Sequence, residues 1–186
     1  MSQFDITNLP LAGLKRIKRQ PIGDSRGSFV RVFCSDQLKS VGWNKSIIQI
    51  NHTYTKSKGA VRGLHFQNPP YAEMKLVGCI RGEVWDVVVD LRAKSPTFLH
   101  WHAEILSDRN GCSLVIPEGF AHGFQALTDD VEMLYMHTEK YEPSSEGGLN
   151  PMDPALNISW PIVISELSLR DQAHPLLNTQ FTGIVL

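Results

Sequence analysis

The run Val61–Val77, VRGLHFQNPPYAEMKLV, places an imidazole, a carboxylate and an ammonium close together in the chain. If it forms two strands around the Pro69-Pro70 break, side-chain alternation puts His65 and Gln67 on one face and Glu73, Lys75 and Val77 on another. An imidazole, with a reference pKa of about 6.5, can accept a proton at neutral pH. A fixed ammonium can hold an oxygen on which negative charge develops. Burying such groups without a use costs about 1–3 kcal/mol for each one left unpaired, so this polar face reads as a site of proton chemistry.

A second landmark is Leu114–Phe124, LVIPEGFAHGF, an apolar run that turns at Pro117 and Gly119 and delivers His122. It resembles the PxGxxH motif of cupins. With His65 and Glu73, His122 would complete a 2-His-1-carboxylate set, and the alternative reading is a metal-dependent cupin oxygenase or isomerase. Gln67 argues against it, because the first cupin motif needs a second histidine there. Lys75 argues against it too, since an ammonium on the Glu73 face repels a cation. The expectation is a site without metal or other cofactor. Tyr135 in MLYMHTEKY and Asp171 in ELSLRD complete the candidates, although alone each would read as a packed strand tyrosine and a turn acid.

The elements that must position these groups are short strands. Runs rich in β-formers recur at Phe29–Phe33, Ser46–His52, Met74–Ile80, Val84–Leu91, Trp101–Leu106, Ser113–Ile116 and Val131–Thr138. The separators GDSRG, NPP, KSPT, SDRNG and PEG carry turn chemistry. Helix signal is confined to single turns at Ser35–Lys39 and Ser165–Asp171. The pattern predicts an all-β chain: a cupin-type double-stranded β-helix, or jelly roll, with short peripheral helices, in one domain over residues 1–186. The tail after Tyr141 reads as ordered connections laid over the barrel.

Composition narrows the partners. At 186 residues and 42% apolar, the chain suits one core, and a net charge of -1 without a basic run gives no footprint for nucleic acid or an anionic membrane. No apolar run approaches the roughly 20 residues of a membrane span. Cys34, Cys79 and Cys112 form neither a CxxC pair nor an even framework, which suits reduced thiols and a cytoplasmic location.

Taken together, RGLHFQ, KLV, GEVWDVVVDLR, SPTF, IPEGFAHGF, LY with Tyr141 following, Ile158-Ser-Trp-Pro161 and LSLRD occur in the order of the dTDP-4-dehydrorhamnose 3,5-epimerase family, which the chain resembles from DSRGSF to Asp171. The resemblance implies a cupin fold, a homodimer and isomerisation of a nucleotide-linked 4-keto sugar. It makes His65 the base, Asp171 the carboxylate behind it, Lys75 the cation beside the sugar carbonyl and Tyr135 the acid on the opposite face. Arg26, Arg62, His122, Gln49 and Asn51 fall where the family contacts diphosphate or sugar, and Arg170 keeps the charge of a common lysine. Phe29 and Tyr141 are further substrate-binding candidates, and Arg31 and Lys140 fall where the nucleotide base is expected.

Three positions depart from the family pattern. Glu73-Met74 replaces Gln-Gly or a similar pair, so that a carboxylate stands near Lys75. Arg31 replaces a glutamate that can accept the N3–H of thymine, and Lys140 replaces an aromatic. An arginine offers only donors, so the preferred carrier is expected to differ from thymidine diphosphate.

Overall fold

The computed structural model describes residues 3–186. The chain opens with β1 (Phe4–Asn8), β2 (Lys15–Arg19) and a small hairpin of β3 (Ile22–Asp24) and β4 (Gly27–Phe29), followed by α1 (Ser35–Leu38). The body comprises β5 (Gln49–Thr55), β6 (Ala60–Gln67), β7 (Lys75–Arg81), β8 (Glu83–Asp90), β9 (Trp101–Ser107), β10 (Cys112–Ile116), β11 (Phe120–Ala126) and β12 (Val131–His137). Short β13 (Glu146–Gly148) and β14 (Glu166–Leu167) and a helical turn, α2 (Leu169–Gln172), follow.

Two sheets face each other. One runs β1-β2-β10-β7-β12-β5, the other β13-β6-β11-β8-β9, with β14 parallel beside β6. This is the expected jelly roll. Alternation sorts the side chains into three layers. Val77, Cys79, Val84, Val88, Phe124 and Met133 fill the space between the sheets. Leu76 and Met136 turn the other way, to pack with Phe4, Leu38 and Trp43 outside the first sheet. Leu64, Phe66, Val87 and Val89 turn outward on the second sheet and are covered by Leu149, Leu156 and Ile184 of the tail. On β6, β7, β8, β11 and β12 the inward positions at one end are instead His65, Lys75, Asp86, His122, Tyr135 and His137.

Two expected strands are corrected. The run Phe29–Phe33 leaves the strand at Phe29, because Val32, Phe33 and Cys34 pack irregularly onto the outer cluster. Ser46–His52 is shifted to Gln49–Thr55, a register fixed by pairing with β12 from His137↔Gln49 to Val131↔Thr55, while Ile47 joins the outer cluster. The strands β1 and β2 carry no apolar alternation strong enough to read in advance.

Candidate active site

A cavity of about 780 Å³ opens between the sheets and is lined by Asn51, Arg62, His65, Glu73, Lys75, His122, Tyr135, His137, Tyr141, Arg170 and Asp171, among others. His65 comes from β6 in the second sheet. Its Nε2 lies 2.7 Å from Oδ1 of Asp171. Asp171 is presented by α2, where the Ser168 hydroxyl caps the turn by accepting from the Asp171 N–H at 3.0 Å. The other carboxylate oxygen accepts from the Gly63 N–H at 3.3 Å. Gly63 has φ +120 and passes so close to Gly123 that a Cβ would lie 2.5 Å from its Cα, which is why this turn of RGLH takes glycine.

Burial pushes the Asp171 carboxyl up, but the hydrogen bond and charge of His65, with the Gly63 and Ser168 contacts, outweigh it and hold the group below its ordinary range. The carboxylate therefore fixes the proton of the neutral imidazole on Nε2, and the other ring nitrogen keeps its lone pair. Arg170 Nη2 lies 3.2 Å from the same Nε2 and ion-pairs with Glu146 at 2.9 Å. Glu146 also accepts from the Tyr141 hydroxyl at 3.0 Å, so it gathers two predicted residues at the mouth.

The facing wall belongs to β7 and β12. Lys75 is nearly buried, and its Nζ reaches the backbone oxygen of His65 at 3.2 Å and Glu73 Oε1 at 3.3 Å. Tyr135 is half-buried, with its ring edge-on to His122 at 5.9 Å and parallel to His137 at 6.1 Å. Burial drives its phenol well above the ordinary value. Below, His122 Nε2 meets both Asp86 oxygens at 2.9 and 3.0 Å. Asp86 is fully buried, and this raises its carboxyl despite the opposing pull of His122 and Lys75.

The metal set His65, Glu73 and His122 is not assembled. Each turns to a different partner: His65 to Asp171, Glu73 to His137 and Lys75, His122 to Asp86. Among the described residues the group with metal-ligand spacing is His65, Asp171 and His174, and the Arg170 guanidinium stands against its first atom. Gln67 is a staple: its amide nitrogen donates to Tyr71 O and Lys140 O, and its oxygen accepts from the Glu142 N–H.

Several predicted binding residues lie elsewhere. Arg26, Phe29 and Arg31 sit on or just after the β3–β4 hairpin, outside this cavity, with Arg26 paired to Asp24 at 2.6 Å and Phe29 65% exposed. Lys140 does not line the cavity and lies over the Tyr71 ring at 5.3 Å. Gln49 does not line it either, but bonds Asn51 and the Tyr141 N–H. Sequence reasoning missed Asp86, His137 and Glu146. Asp86 left a trace as the acid interrupting an apolar strand in VWDVVVD, and His137 as the inward position two residues after Tyr135. Glu146, in a polar loop, left none.

A sequence model of the family described as dTDP-4-dehydrorhamnose 3,5-epimerase matches residues 8–179. The chain is 46% identical over 158 residues to the dTDP-4-dehydrorhamnose 3,5-epimerase of Salmonella typhimurium, spanning 84% of this chain and 86% of that protein. Its structure superposes with a TM-score of 0.90 on the dTDP-4-dehydrorhamnose 3,5-epimerase of Bacillus anthracis with TDP and PPi bound, at 36% identity over 94% of this chain and 99% of that one. A TM-score of 0.89 relates it to the dTDP-6-deoxy-D-glucose-3,5-epimerase of Legionella pneumophila in complex with dTDP-4-keto-L-rhamnose, at 38% identity over 95% and 94% of the two chains. The chain belongs to the dTDP-4-dehydrorhamnose 3,5-epimerase family.

Proposed function

We propose that this protein is a nucleotide-sugar isomerase of the dTDP-4-dehydrorhamnose 3,5-epimerase type, inverting C3, C5 or both of a nucleotide-linked 4-keto-6-deoxyhexose in deoxysugar biosynthesis. The observation that carries this reading is one cavity holding a carboxylate-backed imidazole on one wall and an ammonium beside a phenol on the other. A hydrogen on a carbon next to the C4 ketone becomes removable when the enolate oxygen meets Lys75. His65 takes that proton and Asp171 stabilises the imidazolium. Tyr135, across the cavity, returns a proton to the opposite face, and the carbon is inverted. Arg62, Asn51 and Tyr141 at the rim suit the diphosphate and sugar.

The chain acts as one domain and, we propose, as a cytoplasmic homodimer. Free Cys34, Cys79 and Cys112 fit a reducing compartment. No helix among the described residues is long and apolar enough to cross a membrane. Edge strand β5 exposes Ile50 (58%) next to Ile48, and the hairpin exposes Ile22 and Phe29. A partner copy on that edge would bury them and bring Arg26, Phe29 and Arg31 to a second cavity. Proton NMR of a nucleotide-linked 4-keto-6-deoxyhexose in deuterated water tests the activity: loss of the H3 or H5 signal with a new sugar spectrum is expected, and an unchanged spectrum refutes it.

A further inference from the structure

Glu73 and His137 have no part in the reaction scheme above, yet they line the same cavity and are as deeply buried as Lys75. Glu73 Oε2 accepts from His137 Nδ1 at 2.8 Å, while Oε1 faces Lys75 Nζ at 3.3 Å. His137 and Lys75 are directly opposed on β12 and β7. The outer edge of the imidazole meets Asn51 Nδ2 at 3.4 Å, and Gln49 Nε2 donates to Asn51 Oδ1 at 3.1 Å. A continuous chain of polar contacts therefore runs from β5 through β12 to the ammonium. Burial pushes the Glu73 carboxyl up, but His137 and Lys75 outweigh it and hold the group below its ordinary range, so Glu73 carries charge.

We infer that Glu73 and His137 are a positioning pair for Lys75, fixing its ammonium at the place where the enolate oxygen forms. An ammonium has three N–H groups. Among the described residues two of them have partners, the His65 carbonyl and Glu73, which leaves the third for a substrate oxygen. A lysine stem has several rotatable bonds, so an ammonium held at one point would wander; with two anchors on opposite walls it cannot. His137 is needed because Glu73 lies before β7 begins, where the strand ladder does not hold its backbone. The imidazole locks the carboxylate rotamer.

This inference rests on the epimerase reading, and one experiment separates the two. Steady-state kinetics and solvent deuterium exchange on a nucleotide-linked 4-keto-6-deoxyhexose are measured for wild type, Glu73→Ala, His137→Ala, Glu73→Gln and His137→Asn, each also combined with Lys75→Met. The alanine variants should lower kcat by about tenfold or more with KM within about threefold, the mark of an interaction made in the transition state. Exchange at every carbon that wild type exchanges should fall in parallel, because all pass through the one C4 oxygen. Glu73→Gln keeps one acceptor oxygen, which can face Lys75 while the amide nitrogen donates to the other tautomer of His137, and His137→Asn keeps a donor at the Nδ1 position, so both should recover part of the rate that the alanine variants lose. In the Lys75→Met background neither alanine change should cost more. Losses that multiply in that background, loss at one carbon only, or lower stability with unchanged rate per folded enzyme each overturn the positioning role. If Glu73→Ala does not fold, the His137→Ala cycle decides alone. A wild type inert toward such sugars defeats the epimerase reading and this inference together.

Discussion

Lys75 Nζ lies 3.2 Å from the backbone oxygen of His65, so the cation of one sheet is tied to the strand that carries the base in the other. The proposed base and cation therefore keep a fixed separation. Enolisation needs that constancy, because the proton leaves toward one group while charge gathers on the other.

Lys75→Met should lower turnover by about 10²–10³-fold while substrate affinity falls far less, since the ammonium acts where charge develops. Calorimetric titration with the nucleoside diphosphate and NMR exchange rates separate the two effects. Equal losses in binding and turnover would assign Lys75 to the diphosphate instead.

His65→Asn should stop deuterium incorporation at both C3 and C5, a loss of about 10²–10⁴-fold for removal of a general base. Exchange persisting at either carbon would require a second base, and His122, whose Nε2 is backed by the Asp86 carboxylate as that of His65 is by Asp171, would be the candidate.

Asp171 links the site to stability. Its folded carboxyl lies below the ordinary range, so its stabilising contribution is present above the unfolded value of about 3.9 and is lost as pH falls through the lower folded value. Asp171→Asn should therefore be less stable than wild type at neutral pH, and the gap should narrow below about pH 4. Urea denaturation across that range measures it. A gap independent of pH would mean that the substitution acts through packing.

The barrel strands were legible in the sequence because β7, β8, β10 and β12 show their apolar content to both sides, and the inward Lys75 at the start of β7 stands out against it. What escaped depended on contacts between distant segments. His137 looks like any strand histidine until Glu73, 64 residues earlier, is brought against it. Phe29–Phe33 has strand composition, but its last residues pack against α1 and Trp43, and only the tertiary fold reveals that competition. Arg26 and Phe29 carry the family pattern, and Arg31 stands at one of its positions, yet all three lie outside the cavity of their own chain, and no local signal in the sequence showed this.

Tyr135→Phe should separate exchange from inversion. The phenol is pushed far up by burial, so it holds its proton until an enolate lies against it. Without it, His65 reprotonates the enolate from the side it left once its own proton has exchanged with solvent, so deuterium still enters with retained configuration while inverted product falls. Inverted product at the wild-type rate would remove Tyr135 from the acid role.

Arg31 tests the hairpin and the dimer together. Its side chain lies outside the cavity of its own chain, so a change there can alter nucleotide recognition only if a partner copy receives the hairpin. An arginine cannot accept the N3–H of thymine, whereas a glutamate can. Arg31→Glu should therefore raise the preference for dTDP over CDP and GDP by about tenfold, or roughly 1.4 kcal/mol, in calorimetric titrations. Sedimentation of wild type should give the mass of two chains. With a monomer in solution, or with unchanged relative affinities in the variant, the hairpin has no place beside the base. A dimer with a shifted preference would place Arg31, half-buried on its own chain, beside the cavity of the other.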